Sequence, residues 1–295
     1  MKPAPRPSAR PRTKHRLEAF AAWLLITPIM WLPFTTRIRF FGGLAQYVVA
    51  PLSGVKKRIR ANLAHVFPDM PKAEVERLCG AVVNNAARAF IEMLSGPEFA
   101  GRVADTPIDG PGLAALDEAH AQGRPVVLIT GHLGNYDVAR IALRARGFNV
   151  GGLYAPMSNP VINPHYVAAI ESIGKPMFPR GREGMADMLR HLRGGGMLGL
   201  VIDQYMEHGP ALDFLGKPAP TALSAAEIAL KYNALVLPGY AIRQPDGLSF
   251  RVHLEAPVPH SDAVTMTQAL NDSLSVQVRQ HMDQWFWLHK RWFKG

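Results

Sequence analysis

The sequence predicts an α/β fold: a mostly parallel central sheet with helices on both faces, preceded by a hydrophobic N-terminal helical segment. Three observations carry this. After residue 110, short apolar runs of strand length alternate with segments of helical period. Glycines stand where those helices should stop, at Gly147 and at Gly194-Gly195-Gly196. A chain of 295 residues is long enough for one large domain with a full core.

Residues 1–16 are rich in Pro and Arg and are expected to be a disordered basic tail. The run LEAFAAWLLITPIMWLPF, Leu17 to Phe34, approaches the length of a membrane span, but Glu18, Pro28 and Pro33 interrupt it. A second apolar stretch runs from Phe40 to Leu52. No A-x-A site follows, and Thr35-Thr36-Arg37 is a poor cleavage context. Residues 17–53 are therefore read as an uncleaved, membrane-anchoring helical segment that lies on or half enters the bilayer. A buried core helix is the alternative. The main domain is expected to occupy residues 54–295.

From Pro71 to Leu94, apolar residues recur at helical spacing, and Cys79 lies on that stripe, so it is read as packed. A helix over 113–122 precedes a buried strand over 125–130, and another helix spans 136–146. Further strands are expected at 149–154, 175–178, 197–202, 235–242 and 249–254. Helices are expected at 164–173, 184–193, 222–232 and 263–287.

One cysteine excludes an intrachain disulfide framework and a cysteine zinc site. The net charge is +10, with six positives and no acid in the first sixteen residues. Further clusters are Lys56, Lys57, Arg58 and Arg60, then Lys290, Arg291 and Lys294. Basic clusters beside apolar segments suit an anionic membrane surface. No zinc-finger, RRM-like or helix-turn-helix signature supports nucleic acid as the partner.

Chemistry points to GHLGNYD, where His132 and Asp137 flank four residues. The histidine falls on a short glycine-rich turn at the carboxyl end of a strand, where open α/β sheets place ligands. Asp137 lies just inside the next helix, close enough in sequence to turn back and hold the imidazole. A histidine paired with a carboxylate is a general base, and the aspartate would fix its tautomer. There is no G-x-S-x-G elbow, P-loop, G-x-G-x-x-G after a strand, or H-E-x-x-H. A direct transfer needs no enzyme nucleophile: the histidine deprotonates a substrate hydroxyl, which attacks an activated acyl group. Asp203-Gln204 also follows a strand and should reach the same sheet edge, unless Asp203 merely caps a helix.

Several segments, in order, resemble the bacterial lipid A biosynthesis acyltransferases, the lauroyl/myristoyl transferases within the lysophospholipid acyltransferase superfamily. They are RIRANLAHVFPD (58–69), GHLGNYD, LYAPMSNP (153–160), VIDQ (201–204), DFLGKPAPTALSAAEIAL with LVLPGY (213–240), and QWFWLHKRW (284–292). The resemblance implies an enzyme at the cytoplasmic face of the bacterial inner membrane. It implies acyl carrier protein thioesters as donors, coenzyme A being the less favoured carrier, and a catalytic His132–Asp137 dyad. Members usually carry Glu where this chain has Asp137, which keeps open a lyso-aminolipid or lysophospholipid acceptor. A family arginine after the NP motif has no clear counterpart; Arg180 or Arg182 is its candidate replacement.

Gly134 and Asn135 are expected to bind substrate, with backbone amides near Gly134, or Arg180, stabilising the oxyanion. Gly216 and Thr221 are candidates for shaping the cleft, although Thr221 could instead cap a helix. The match also places His289 and Arg291 near the cleft. No metal or tightly bound cofactor is expected; acyl carrier protein and membrane lipids are the expected partners. A non-catalytic lipid-binding protein and a thioester hydrolase are the alternatives from other classes.

Overall fold

The computed structural model describes residues 11–292. The N-terminal part is helical: α1 (Thr13–Met30), α2 (Phe34–Leu44), a π-helical turn (Ala45–Val49), α3 (Ala50–Leu52), α4 (Val55–Val66), α5 (Lys72–Leu94) and α6 (Gly96–Val103). Helix α1 starts at Thr13, so the expected disordered tail is shorter than 1–16; its first ten residues lie outside the described ones. Pro28 lies in the last turn of α1, and Pro33 precedes α2, so the apolar run breaks into two rods. Among the described residues, no helix is long and apolar enough to cross a membrane.

The remaining elements follow the expected alternation. They are β1 (Ile108–Asp109), α7 (Leu113–Ala121), β2 (Val126–Thr130), α8 (Asp137–Ala145), β3 (Val150–Tyr154), α9 (Asn163–Ser172), β4 (Met177–Pro179) and α10 (Arg182–Arg193). Then come β5 (Met197–Val201), the hairpin strands β6 (Ala211–Phe214) and β7 (Lys217–Pro220), α11 (Ser224–Tyr232), β8 (Leu235–Arg243), β9 (Phe250–Leu254) and α12 (Ala263–Gln280). The sheet order is β1-β9-β8-β2-β5-β3-β4, with β8–β9 its antiparallel pair. The mostly parallel sheet is thus as expected.

Alternation within the central strands builds two cores. Val127, Ile129 and Leu198 join one cluster with α11 and α12, whereas Val126, Leu128 and Met197 join the other with α8. Two expectations change. The last helix stops at Gln280 rather than 287, and residues 282–292 continue as an irregular segment. The 211–220 hairpin was not anticipated; its type of turn places Leu215 and Gly216 at positive φ.

The central register positions the site. Thr130 of β2 pairs with Val201 of β5, so the residues two positions later, His132 and Asp203, leave the sheet side by side. Gly134 is obligatory on the turn between: its φ is +61°, and a Cβ there would lie 2.0 Å from the Ala241 carbonyl oxygen.

A buried polar network braces this turn. Arg243 donates Nη1 to Glu92 Oε1 at 2.5 Å and Nη2 to Oε2 at 2.8 Å, while Asn135 donates Nδ2 to Glu92 Oε2 at 2.9 Å. Asn85 accepts from Arg243 Nε at 2.8 Å and donates to the Gly134 carbonyl at 3.1 Å. Glu92→Ala would strand the buried Arg243 guanidinium, so urea denaturation should show a loss of about 3–5 kcal/mol. A loss within about 0.5 kcal/mol would contradict this account.

Candidate active site

His132 does not pair with Asp137. Its Nδ1 lies 2.7 Å from Asp203 Oδ1, and its backbone N–H donates to Asp203 Oδ2 at 2.7 Å. Trp285 donates Nε1 to the same Oδ2 at 2.8 Å. Asp203 is fully buried. Burial alone would raise its carboxyl pKa, but the charge and hydrogen bond of His132, with His289 and the His132 backbone N–H, hold it below the ordinary carboxylate range. With Nδ1–H committed to Asp203, Nε2 is the nitrogen left to accept a substrate proton.

Asp137 begins α8 and faces a nearer cation. Its Oδ1 accepts from Arg140 Nε at 3.2 Å and Nη2 at 2.8 Å, one helical turn on. Arg140 also donates to the Ile170 and Gly174 carbonyls, tying α8 to the end of α9. The expected dyad is therefore corrected: the carboxylate comes from the end of β5, and Asp137 holds Arg140.

The expected oxyanion amides are also engaged. Leu133 N–H donates to Gly131 O at 2.8 Å, Gly134 N–H to Gln284 O at 3.1 Å, and Asn135 N–H to Ala241 O at 3.3 Å. Gly134 and Asn135 thus shape and brace the turn. Arg180 is better placed as a charge donor, since it lines the cavity containing His132 and bonds Gln204 Oε1 at 3.0 Å.

That cavity, about 180 Å³, is walled by Leu128, Val150, Leu153, Ile170, Met177 and Val201. Gly152 and Gly199 keep side chains out of its sheet face. His132 and Asp137 both line it, as do Arg180 and Gln204. Thr130, Tyr136, Arg140, Tyr154 and Tyr166 line it too, so apolar walls and polar groups share the chamber, a mixture that suits an acyl chain ending in a reactive carbonyl.

His289 lies against His132, ring centroids 4.5 Å apart and edge to face. Burial, then the neighbouring His132 and Arg291, lowers its pKa to about 4, so it is neutral at ordinary pH. Its buried Nε2 meets no partner among the described residues. Arg291 is fully buried and donates to Pro220 O at 2.8 Å and Thr221 Oγ1 at 2.7 Å, with its guanidinium over Phe214. Burial lowers its pKa to about 10 against the pull of Asp203. Thr221 is consequently a latch for the C-terminal segment, and Gly216 sits at the hairpin tip, where Asp213 accepts its N–H; neither lines the cavity.

Trp285 also belongs to the site through its bond to Asp203, a role that its place in the QWFWLHKRW segment does not disclose. Its partners in the 284–287 segment pack back on the turn: Phe286 N–H donates to His132 O at 2.9 Å, and Leu133 bridges Trp285. One ligand atom each from His132, Asp203 and His289 could meet a metal ion, as these lie within 4.8 Å of one another. The Asp203 oxygens, however, already receive three N–H donors, the pattern of a hydrogen-bonded dyad.

His289 makes stability pH-dependent. The unfolded imidazole takes up a proton below about pH 6.5, whereas the folded one stays neutral down to about pH 4. The unfolded state therefore binds more protons in that window, and this contribution is lost as pH falls through it. Tm measured from pH 7 to pH 4 should fall less steeply in His289→Phe, by an amount on the order of 2 kcal/mol of stability. An unchanged slope would contradict the assignment.

Comparison with known proteins gives the identity. Residues 8–294 match the family described as Bacterial lipid A biosynthesis acyltransferase. A phosphatidylinositol mannoside acyltransferase of Mycobacterium tuberculosis is 25% identical over 278 residues, covering 92% of this chain and 86% of that protein. Two lipid A biosynthesis acyltransferases of Haemophilus influenzae are 20% and 24% identical, covering 92% and 79% of this chain and 90% and 75% of their own lengths. The basic strand-end histidine, its buried carboxylate and the whole-chain match agree, and the chain belongs to the family of bacterial lipid A biosynthesis acyltransferases.

Proposed function

We propose that the protein moves a fatty acyl chain from an acyl carrier protein thioester to a hydroxyl of a lipid acceptor, with His132 as general base and Asp203 as its orienter. The observation that carries this is the His132–Asp203 pair at 2.7 Å, with His132 in a cavity that has both aliphatic and polar walls. His132 Nε2 takes the acceptor hydroxyl proton as the oxygen attacks the thioester carbonyl. The C–S bond then breaks, and the imidazolium returns the proton to the leaving thiolate. Arg180 stabilises the oxyanion. The acceptor is a lipid A precursor or another lyso-lipid. Relatives named phosphatidylinositol mannoside acyltransferase and lipid A biosynthesis acyltransferase favour a lipid hydroxyl over any single head group.

The reading is tested with purified full-length protein, radiolabelled acyl carrier protein thioester and a lipid A precursor or lysolipid. Labelled lipid is the expected product, and free fatty acid alone would refute transfer. His132→Ala should reduce turnover to background. Asp203→Asn should cost about 10⁴-fold in kcat, by presenting the wrong tautomer. Should Asp137→Asn cost as much as Asp203→Asn at unchanged stability, the orienter would be misassigned.

The membrane role rests on exposed apolar residues. Leu17, Phe20, Trp23, Leu24 and Leu25 of α1, with Trp31 just after it, are each at least half exposed, and Leu52 is 83% exposed. Lys56, Lys57 and Arg58 follow close behind. This segment lies on the cytoplasmic face of the inner membrane, its apolar side in the acyl region and its cations at anionic head groups. Replacing Phe20, Leu24 and Trp31 with Glu should lower partition into anionic vesicles at least about tenfold. Unchanged partition would refute this placement.

A further inference from the structure

A second and larger cavity, about 710 Å³, shares no lining residue with the one that contains His132. Among its lining residues are Asn85 and Gln284, whose bonds to Gly134 were given above. The second cavity mixes apolar and polar walls. Gln46, Asn84, Asn85 and Gln284 supply amides, Arg77, Arg88 and Arg243 supply cations, and Asp283 supplies one carboxylate.

The charges are not equally matched. Arg77 is held by two bonds to Glu74, and Arg243 by two bonds to Glu92. Arg88 bonds neutral acceptors: Nε to Asn84 Oδ1 at 2.6 Å and Nη1 to the Gly247 carbonyl at 3.0 Å. Its Nη2 meets no acceptor among the described residues. The backbone is shaped around this guanidinium. A Cβ on Gly42 would lie 3.0 Å from Arg88 Nε, and one on Gly247 would lie 2.3 Å from Nη1. Burial and the nearby Arg243 and Arg39 act against its charge, with only partial relief from Glu92. A half-buried guanidinium with an open N–H edge, set among amides, is the environment that a phosphate completes.

We propose that this cavity is a phosphate-binding site, with Arg88 as its ligating cation and Asn84 and Gln46 as neighbouring polar contacts. The site is separate from the acyl chamber and does not depend on the acyl-transfer reading. The phosphate can come from a lipid head group or from a soluble phosphate ester.

Binding of inorganic phosphate to the full chain in detergent, at constant ionic strength, tests this by calorimetry. Wild type and His132→Ala should bind alike, so a failure of the acyl-transfer reading leaves this result intact. Arg88→Gln should weaken binding at least about tenfold. Asn84→Asp is the second variant. It keeps an oxygen acceptor for Arg88 Nε, supplies the missing carboxylate, and should weaken binding comparably without loss of Tm. Phosphatidic acid in mixed micelles should displace inorganic phosphate if a head group is the source; sn-glycerol 3-phosphate displacing it equally well assigns a soluble ester. Equal phosphate affinity in wild type, Arg88→Gln and Asn84→Asp would overturn the proposal, as would no measurable binding to wild type.

Discussion

Asp203 carries a negative charge that is wholly removed from water, and such a charge persists only when donors surround it. The chain supplies them from two distant places. His132 gives its backbone N–H and its ring, and Trp285 gives its indole N–H. Satisfying this one carboxylate fixes the turn after β2, the end of β5 and the segment after α12 against each other. Both the imidazole orientation and the closing of the site over the sheet edge follow from it.

The same turn is braced from behind by a second buried charge pair. Glu92 and Arg243 would each be costly alone, and together they organise Asn85, Asn135 and Gln284 around Gly134. The turn is consequently held on both sides by charges that cannot relax into water. The protein also holds two cavities with no lining residue in common, one containing His132 and one lined by amides, guanidinium groups and Asp283. The LYAPMSNP segment has a structural part in this arrangement as well. Asn159 donates to the His15 carbonyl and to Glu18, docking α1 onto the main domain.

The alternation of strands and helices was legible because each buried parallel strand is a short apolar run and each helix has its own stop. His132 and Asp203 were both legible as strand-end residues. Their pairing was not, because it depends on β5 lying next to β2, an order that sequence proximity does not give. Local spacing favoured Asp137, but a residue in the first turn of a helix finds its neighbour one turn ahead, and that neighbour is Arg140. Trp285 was hidden by extending the helical period of α12 too far. Its signal was present: Trp285 and Trp287 are buried two residues apart, the period of extended backbone rather than of a helix. The second cavity left no local trace, since its walls come from the π-helical turn at Gln46, α5, the end of β8 with the loop to Gly247, and residues 281–284.

The crowded carboxylate has a consequence for where a proton can reside. With three N–H donors on its two oxygens, Asp203 has little basicity left, so a proton taken up by His132 stays on the ring. Under the proposed reaction, the proton that leaves the acceptor hydroxyl is the same one that later caps the thiolate. The exchange is closed: one proton in, one proton out, with no deposit in solvent. Such a cycle needs no water as proton carrier, and whether a lipid hydroxyl or a water attacks the carbonyl is what separates acyl transfer from hydrolysis.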